Sequence, residues 1–382
     1  MLSPTELYRY SRQILLPGFD KEGQEKLKQG SVLVIGAGGL GSPALLYLSA
    51  AGVGRIGIVD FDTVDESNLQ RQVLFKTDDV GKNKVHLATE RLKELNPHLK
   101  IEPHHLHLDS TNAMGILANY DVVVDGSDNL PTRYLVNDAC VFLKKTLIYG
   151  AIFQFEGQAS VFNQLLKDGT RGPNYRDLFP EPPPPEMVPS CSEGGVLGVL
   201  PGIIGCIQAN EVIKILAGIG TTLSGRLLLF DSLDFTTRIV NVKKNPSNPI
   251  SGESPTIFDL IDYEAFCNPA LHRIQEQVKE ISPLELKHWI DSRREFQLID
   301  VREAKEVELV SIGGINIPLK ALDEKHSQIR KDIPVVLHCK TGGRSRLAAQ
   351  KLKTQYGFTN VMNLTGGIIQ WIDEVDTSLP RY

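Results

Sequence analysis

The sequence predicts an α/β protein: a doubly wound, mostly parallel sheet, followed by a second, smaller α/β unit. Three observations predict this. Short apolar runs alternate with helical apolar spacing from residue 28 onward, the pattern of a parallel sheet with crossover helices. A stretch rich in Pro, Ser and Asn, "NPSNPISGESPT", interrupts the pattern near residues 245–256 and marks a domain boundary. A shorter strand–helix alternation then resumes to the C-terminus.

Taken in order, "SVLVIG" reads as a buried strand, "GLGSPALLYLSAAG" as a helix and "RIGIVD" as a second strand ending in an acid. "KVHLATERLKELN" is a helix, "KIEPHHLHL" an alternating strand, "DVVVDGS" a buried strand and "TRYLVNDACVFLKK" a helix. The alternation of His104, His105 and His107 suits a half-exposed strand better than a metal site. "EGQASVFN" and "RLLLFDSLDFTTRIVNV" read as later antiparallel strands. The prolines of "FPEPPPPEMVPS" lack donors for helix or central strand, so this segment is a long loop that delivers Cys191. The second unit reads "SPLELKHWIDS" helix, "FQLIDVRE" strand, "PVVLHC" strand and "SRLAAQKLKTQYG" helix. The resulting division is a first domain over 1–245, a linker over 246–277 and a second domain over 278–382.

Composition excludes several classes. Charged residues make up 23% of the chain, its net charge is −5, and no basic run occurs, which argues against nucleic acid as a partner. The five cysteines are odd in number and scattered, the thiol usage of a reducing compartment. Cys140 and Cys206 lie in apolar helical patterns and read as core; Cys267 has no evident role. The start of the chain lacks a signal-like apolar run. Gln208, Asn210, Glu211 and Lys214 interrupt the most apolar stretch, which reads as a buried helix and not a membrane span. The expectation is a cytoplasmic protein that meets no membrane.

Two loops carry chemistry. Gly36, Gly38 and Gly41 form a GxGxxG turn between strand and helix, and Asp60 ends the next strand about 20 residues on. Such a turn lets backbone approach a phosphate while the acid binds ribose hydroxyls. This alone fits an NAD-dependent oxidoreductase equally well. Arg71 and Lys84 favour a triphosphate, whose charge needs neutralising during attack. Asp128, after the strand "DVVVD", lies where ligands of open α/β sheets sit and is suited to Mg²⁺. The second loop is Cys339, Lys340, Thr341, Gly342, Gly343 and Arg344, ahead of a helix. Inward N–H groups and the helix N-terminus favour an anion there, which suits a thiolate nucleophile. Arg302, Lys340 and Arg344 add positive charge.

Several blocks in order, "RYSRQILLPGFDKEGQEKL", "GAGGLGSPALLYLSAAGVGRIGIVDFDTVDESNLQRQ", "DGSDNLPTRYLVNDAC", "FEGQASVF" and "GGVLGVLPGIIGCIQANEVIK", resemble the MoeB/ThiF family from about Tyr8 to Val242. These are Rossmann-like adenylyltransferases of small ubiquitin-like sulfur carriers. The resemblance implies ATP and Mg²⁺ as cofactors and a carrier ending in Gly-Gly as partner. It implies ATP contacts from Gly39, Asp60, Ser67, Asn68, Leu69, Gln70, Arg71, Lys84, Asp128 and Asn129, with Asp128 as Mg²⁺ ligand. It also implies a homodimer in which Arg12 reaches the partner subunit's ATP. Many members hold zinc on two CxxC pairs; here Asn174, Asp177, Asn248 and Ser251 stand at those positions, and no zinc is expected.

From about residue 278, "LIDVRE" and "HCKTGGRS" resemble a rhodanese sulfurtransferase domain. Cysteine phosphatases place the loop arginine one residue further on, so the present loop suits a persulfide better than a phosphate. The implied function joins the loops: the first adenylates the carrier, and a Cys339 persulfide, charged by a donor such as a cysteine desulfurase, delivers sulfur to it. Cys191 then resolves the acyl disulfide to a thiocarboxylate. Molybdopterin synthesis is the expected pathway, with carriers for thiamin, cysteine or tRNA thiolation as alternatives. An NAD-dependent oxidoreductase with a phosphatase-like domain is the competitor from another class.

Overall fold

A computed structural model describes residues 1–183, 194–267 and 278–382. It resolves into two compact units, Met1–Cys267 and Asn268–Tyr382.

The first unit is built on an eight-stranded sheet. Its strands are β1 (Ser31–Ile35), β2 (Arg55–Val59), β3 (Lys100–His104), β4 (Val122–Asp125), β5 (Thr146–Phe153), β6 (Glu156–Phe162), β7 (Arg226–Asp231) and β8 (Thr236–Asn241), in the order β3-β2-β1-β4-β5-β6-β7-β8. The first five strands in sequence are parallel; β6, β7 and β8 extend the sheet antiparallel. Because β1 is flanked by β2 on one side and β4 on the other, the chain reverses its direction of winding there. A crevice opens at such a point, beyond the C-terminal strand ends. β1 is buried along its whole length, as a strand covered on both faces must be. Val32, Val34, Ile56 and Ile58 pack toward one core, and Leu33, Ile35, Val59 and Val123 toward the other.

Helix Leu200–Ala217 is long and apolar enough by composition to cross a membrane, and half of it is buried inside the fold. Its Ile204 packs on Gly157 of β6, where a Cβ would collide. Gln208 reaches from the helix to the Asp125 and Ile148 carbonyls at 2.7 and 3.3 Å. This polar tie joins it to the end of β4 and to the body of β5.

The described part of the expected linker is not a free connection. Asn248 Nδ2 donates to Asp177 at 2.8 Å, Ser110 Oγ donates to the Ile261 carbonyl at 2.5 Å, and Tyr263 OH donates to buried Asp138 at 2.8 Å. Tyr263 and Cys267 belong to the core of the first unit. Residues 246–267 are polar on average, yet a few anchors dock them. Residues 268–277 lie outside the described set.

The second unit carries a parallel five-stranded sheet: β9 (Lys279–Ile281), β10 (Gln297–Asp300), β11 (Ile315–Asn316), β12 (Val335–His338) and β13 (Val361–Leu364), ordered β11-β10-β12-β13-β9. β9 and β11 are too short to leave a periodic trace; the sequence reading missed both, and β13 as well. Helix Gly343–Tyr356 follows the central strand β12, which places the cysteine loop at the middle of the C-terminal sheet edge.

Candidate functional site

In the first unit the sheet edge gathers three segments. Gly36 has φ +87°, and a Cβ on it would lie 3.0 Å from the Gly126 carbonyl oxygen; a side chain there would force the β1 and β4 ends apart. A Cβ on Gly41 would collide with the Gly36 carbonyl, so glycine is required where the helix leaves the turn. Gly39 faces Arg71, and Gly38 faces Gln72. The glycine loop, the 67–72 turn and the 125–129 segment are therefore neighbours.

Asp60 is buried, and its two oxygens take the N–H groups of Ala37 and Asp62, each at 2.8 Å. Burial pushes its carboxyl up, against the opposing charge of Lys84. The acid thus braces the glycine loop. Lys84 is buried and pairs with Asp62 at 3.0 Å. Asn83 caps its helix by accepting from Val85 and His86 N–H. Ser67, Asn68, Leu69 and Gln70 form a tight turn capped by Asp65, and Arg71 donates to the Ser67 carbonyl at 3.0 Å. Asp128 and Asn129 are exposed; Asn129 caps helix Leu130–Phe142 by accepting from Thr132 N–H at 2.9 Å.

A lone exposed carboxylate at Asp128 fits a magnesium ion that takes its remaining ligands from phosphates and water. Among the described residues no group of three His, Cys, Asp or Glu gathers, so phosphate is needed to complete such a site. Arg12 is exposed on helix Ser11–Ile14 and is not among the side chains brought together here. Cys191 lies outside the described residues. Two neighbours escaped the sequence reading: Gln72, whose buried Oε1 has no partner, and Arg133. The available signal was a polar residue in "NLQRQ" and a cation in the first turn of an apolar helix, "LPTRYLV".

The four positions expected to lack zinc converge. Asn174 Nδ2 donates to Ser251 Oγ at 2.8 Å, and Asn248 Nδ2 donates to Asp177 at 2.8 Å and to Asn174 at 3.2 Å. Both asparagines are 1% exposed. Two amides, a hydroxyl and one carboxylate already satisfied by N–H donors do not fit zinc, which wants thiolates or imidazoles. Hydrogen bonds tie the two turns together instead. Asn248→Ala should cost about 2–3 kcal/mol in urea unfolding, since it strands buried partners. Elemental analysis of the purified protein should find no stoichiometric zinc.

In the second unit Cys339 follows β12 and is 1% exposed. Gly342 N–H and Ser345 Oγ donate to its Sγ at 3.2 and 3.4 Å, and Gly342, with φ +92°, turns the chain into the helix. Ile368 and Ile369 N–H hold the Cys339 and Lys340 carbonyls at 2.8 and 3.1 Å.

The electrostatics differ from expectation. Arg302 is fully buried and paired with Asp300 through Nε and Nη2, so its charge is neutralised. Arg344 makes a two-pronged pair with Glu306 at 2.7 and 2.8 Å, which fixes the loop. Burial acts to raise the Glu306 carboxyl, but the Arg344 bonds and charge outweigh it and hold it below its usual range. Lys340 Nζ lies 4.7 Å from the Tyr382 ring centre. His338, just before the cysteine, is lowered to about 4 by burial and is neutral at pH 7.

Comparison with known proteins agrees with both loops. The ThiF family matches residues 10–250 and the rhodanese-like domain residues 282–374. The chain is 46% identical to a probable adenylyltransferase/sulfurtransferase MoeZ of Mycobacterium tuberculosis, covering 100% of this chain and 96% of that one. It is 55% identical to a sulfur carrier protein adenylyltransferase of Thermus thermophilus over 69% of this chain and 97% of that one. It is 41% identical to adenylyltransferase and sulfurtransferase MOCS3 of Drosophila yakuba over 100% of this chain and 86% of that one. Among solved structures, E. coli MccB with ATP shares the fold, with TM-score 0.56 and 22% identity over 63% of this chain and 74% of that one. The chain belongs to the ThiF family, carries a C-terminal rhodanese-like domain, and is an enzyme of the adenylyltransferase and sulfurtransferase class.

Proposed function

We propose that the first unit adenylates the C-terminal glycine of a small ubiquitin-like sulfur carrier, and that the second supplies sulfur to convert it to a thiocarboxylate. The observation that carries this reading is one chain holding both a glycine loop, with Arg71 beside it and Lys84 and Asp128 on adjoining segments, and a cysteine cradled at a helix N-terminus.

ATP lies along the glycine loop with its ribose toward Asp60 and its phosphates toward Arg71 and Lys84. Mg²⁺ held by Asp128 would draw charge from the polyphosphate. The carrier carboxylate attacks the α-phosphorus, and pyrophosphate leaves with the electron pair of the broken P–O bond. Arg71 and Lys84 stabilise charge developing on the leaving group. Arg12 completes the site from the other subunit of a homodimer.

Cys339 takes sulfur as a persulfide from a donor such as a cysteine desulfurase, and its terminal sulfur displaces AMP from the adenylate. Cys191 thiolate then attacks the Cys339 sulfur, releasing the thiocarboxylate and leaving a disulfide that a cellular dithiol reduces. Arg344, tied to Glu306, serves by holding the loop in shape. The pathway most in keeping with the relatives' names is molybdopterin synthesis. All described cysteines are free, which accords with a cytoplasmic setting. The deciding experiment is single-turnover mass spectrometry of a Gly-Gly carrier with ATP and a persulfide donor, which should show the mass change of one oxygen replaced by sulfur. An unchanged carrier would overturn the reading.

A further inference from the structure

Arg302, Lys340 and Arg344 are the basic residues of the sulfur loop and the strand end beside it, and the fold engages all three. Arg302 is fully buried against Asp300 at the end of β10, and its Nη1 donates to Tyr382 OH at 2.5 Å. That phenol in turn donates to Glu306 Oε1 at 3.3 Å, and Lys340 Nζ lies over the same ring. Glu306, on helix Ala304–Leu309, accepts from Arg344 Nη1 at 2.7 Å and Nη2 at 2.8 Å. One hydrogen-bonded chain thus runs from Asp300 through Arg302, Tyr382 and Glu306 to Arg344.

The two arginines at its ends differ. Arg302 has no exposed surface, so no ligand reaches it, whereas the Arg344 side chain is 17% exposed. Arg344 also belongs to the loop itself, in the first turn of helix Gly343–Tyr356. A guanidinium fork in that place matches a small oxyanion, and the helix N-terminus favours the same charge. Glu306 takes up the fork instead. Its carboxyl lies below the usual range, so it is ionised at pH 7, and an entering anion has to displace a carboxylate from a two-pronged, partly buried pair.

This bears on the sulfur donor. Thiosulfate is a dianion: Cys339 thiolate attacks its outer sulfur, the S–S bond breaks, and sulfite leaves with the electron pair. Its sulfonate oxygens need a cation at the loop. A persulfide carries no sulfonate, and its leaving group is a thiolate.

We propose that Glu306 determines donor specificity in the second unit. By occupying Arg344 it denies a small oxyanionic donor its cation and leaves the loop to persulfides, while Tyr382 positions the Glu306 carboxylate. This rests on the reading of Cys339 as the residue that carries sulfur. A pair that only braced the loop would act with the other sign, since loosening a brace slows transfer from every donor.

The test uses the full chain with E306Q, Y382F and the double variant E306Q/R344Q. Two donors are compared. Thiosulfate turnover is read as thiocyanate, cyanide taking the outer sulfur and restoring the Cys339 thiolate. Mercaptoethanol persulfide is read as the mass gain of one sulfur on the Cys339 peptide. E306Q should lower the thiosulfate KM by about 10–100-fold, the range for one charged hydrogen-bonding contact, and raise the ratio of thiosulfate to persulfide efficiency. The double variant should lose that gain, because Arg344 is the cation released. Y382F should move in the same direction by less, and it decides the matter should E306Q fail to fold. A thiosulfate KM equal to wild type in the folded single variants, or a gain that survives in the double variant, overturns the proposal. A wild type whose Cys339 gains no sulfur from mercaptoethanol persulfide overturns the sulfur-carrying reading itself.

Discussion

Cys339→Ala should leave carrier-dependent ATP–pyrophosphate exchange at its wild-type rate and lower thiocarboxylate formation by roughly 1000-fold or more, as loss of a nucleophile does. The two effects separate because the exchange reaction ends at the acyl-adenylate and requires no thiol. Cys339 is packed against Gly342 and Ser345 with nothing larger than a sulfur to replace, so alanine leaves a small void at most. Cys191→Ala should be milder, or should trap a covalent carrier adduct that reductant releases. Single-turnover mass spectrometry distinguishes oxygen from sulfur at the carrier terminus. Thiocarboxylate made by Cys339→Ala with the same persulfide donor would mean that sulfur takes another route.

Arg71→Ala and Asp128→Ala should each depress ATP–pyrophosphate exchange by about 100–1000-fold, the usual loss when an oriented charge leaves a transition state. Neither change should unfold the protein. Asp128 is exposed, and among the described residues Arg71 donates only to the Ser67 carbonyl within a surface turn. Lys84 is a poorer first choice, because it is buried against Asp62 and its loss would mix stability with catalysis. Mixing Arg12→Ala subunits with Asp128→Ala subunits should restore part of the activity, since one hybrid site then holds both native residues. Exchange at wild-type rate in both single mutants would refute the assignment of these charges, and absence of rescue would refute the role of Arg12 across a dimer.

The sequence by itself determined the α/β class, the positions of β1, β2 and β4, the glycine turn and the cysteine loop. Each is a local matter: apolar period, a glycine where φ is positive, a thiol directly before a helix. It also picked out Asn174, Asp177, Asn248 and Ser251 as positions to watch, though not that they bond one another across more than 70 residues of chain. Only the tertiary structure decided which charges are free. Arg302 looked like a cation for the sulfur loop, and Asp300, two residues before it, neutralises it in the core. Arg344 looked similar until Glu306 met it from a distant helix. Arg133 drew no notice in the sequence, and the fold sets it against Tyr149 and the Ser127 carbonyl, with Asp125 and Asp128 as its opposing charges. Charge is written in the chain, but its neutralisation depends on which carboxylate arrives within a few ångströms, and that is settled by packing between segments remote in sequence.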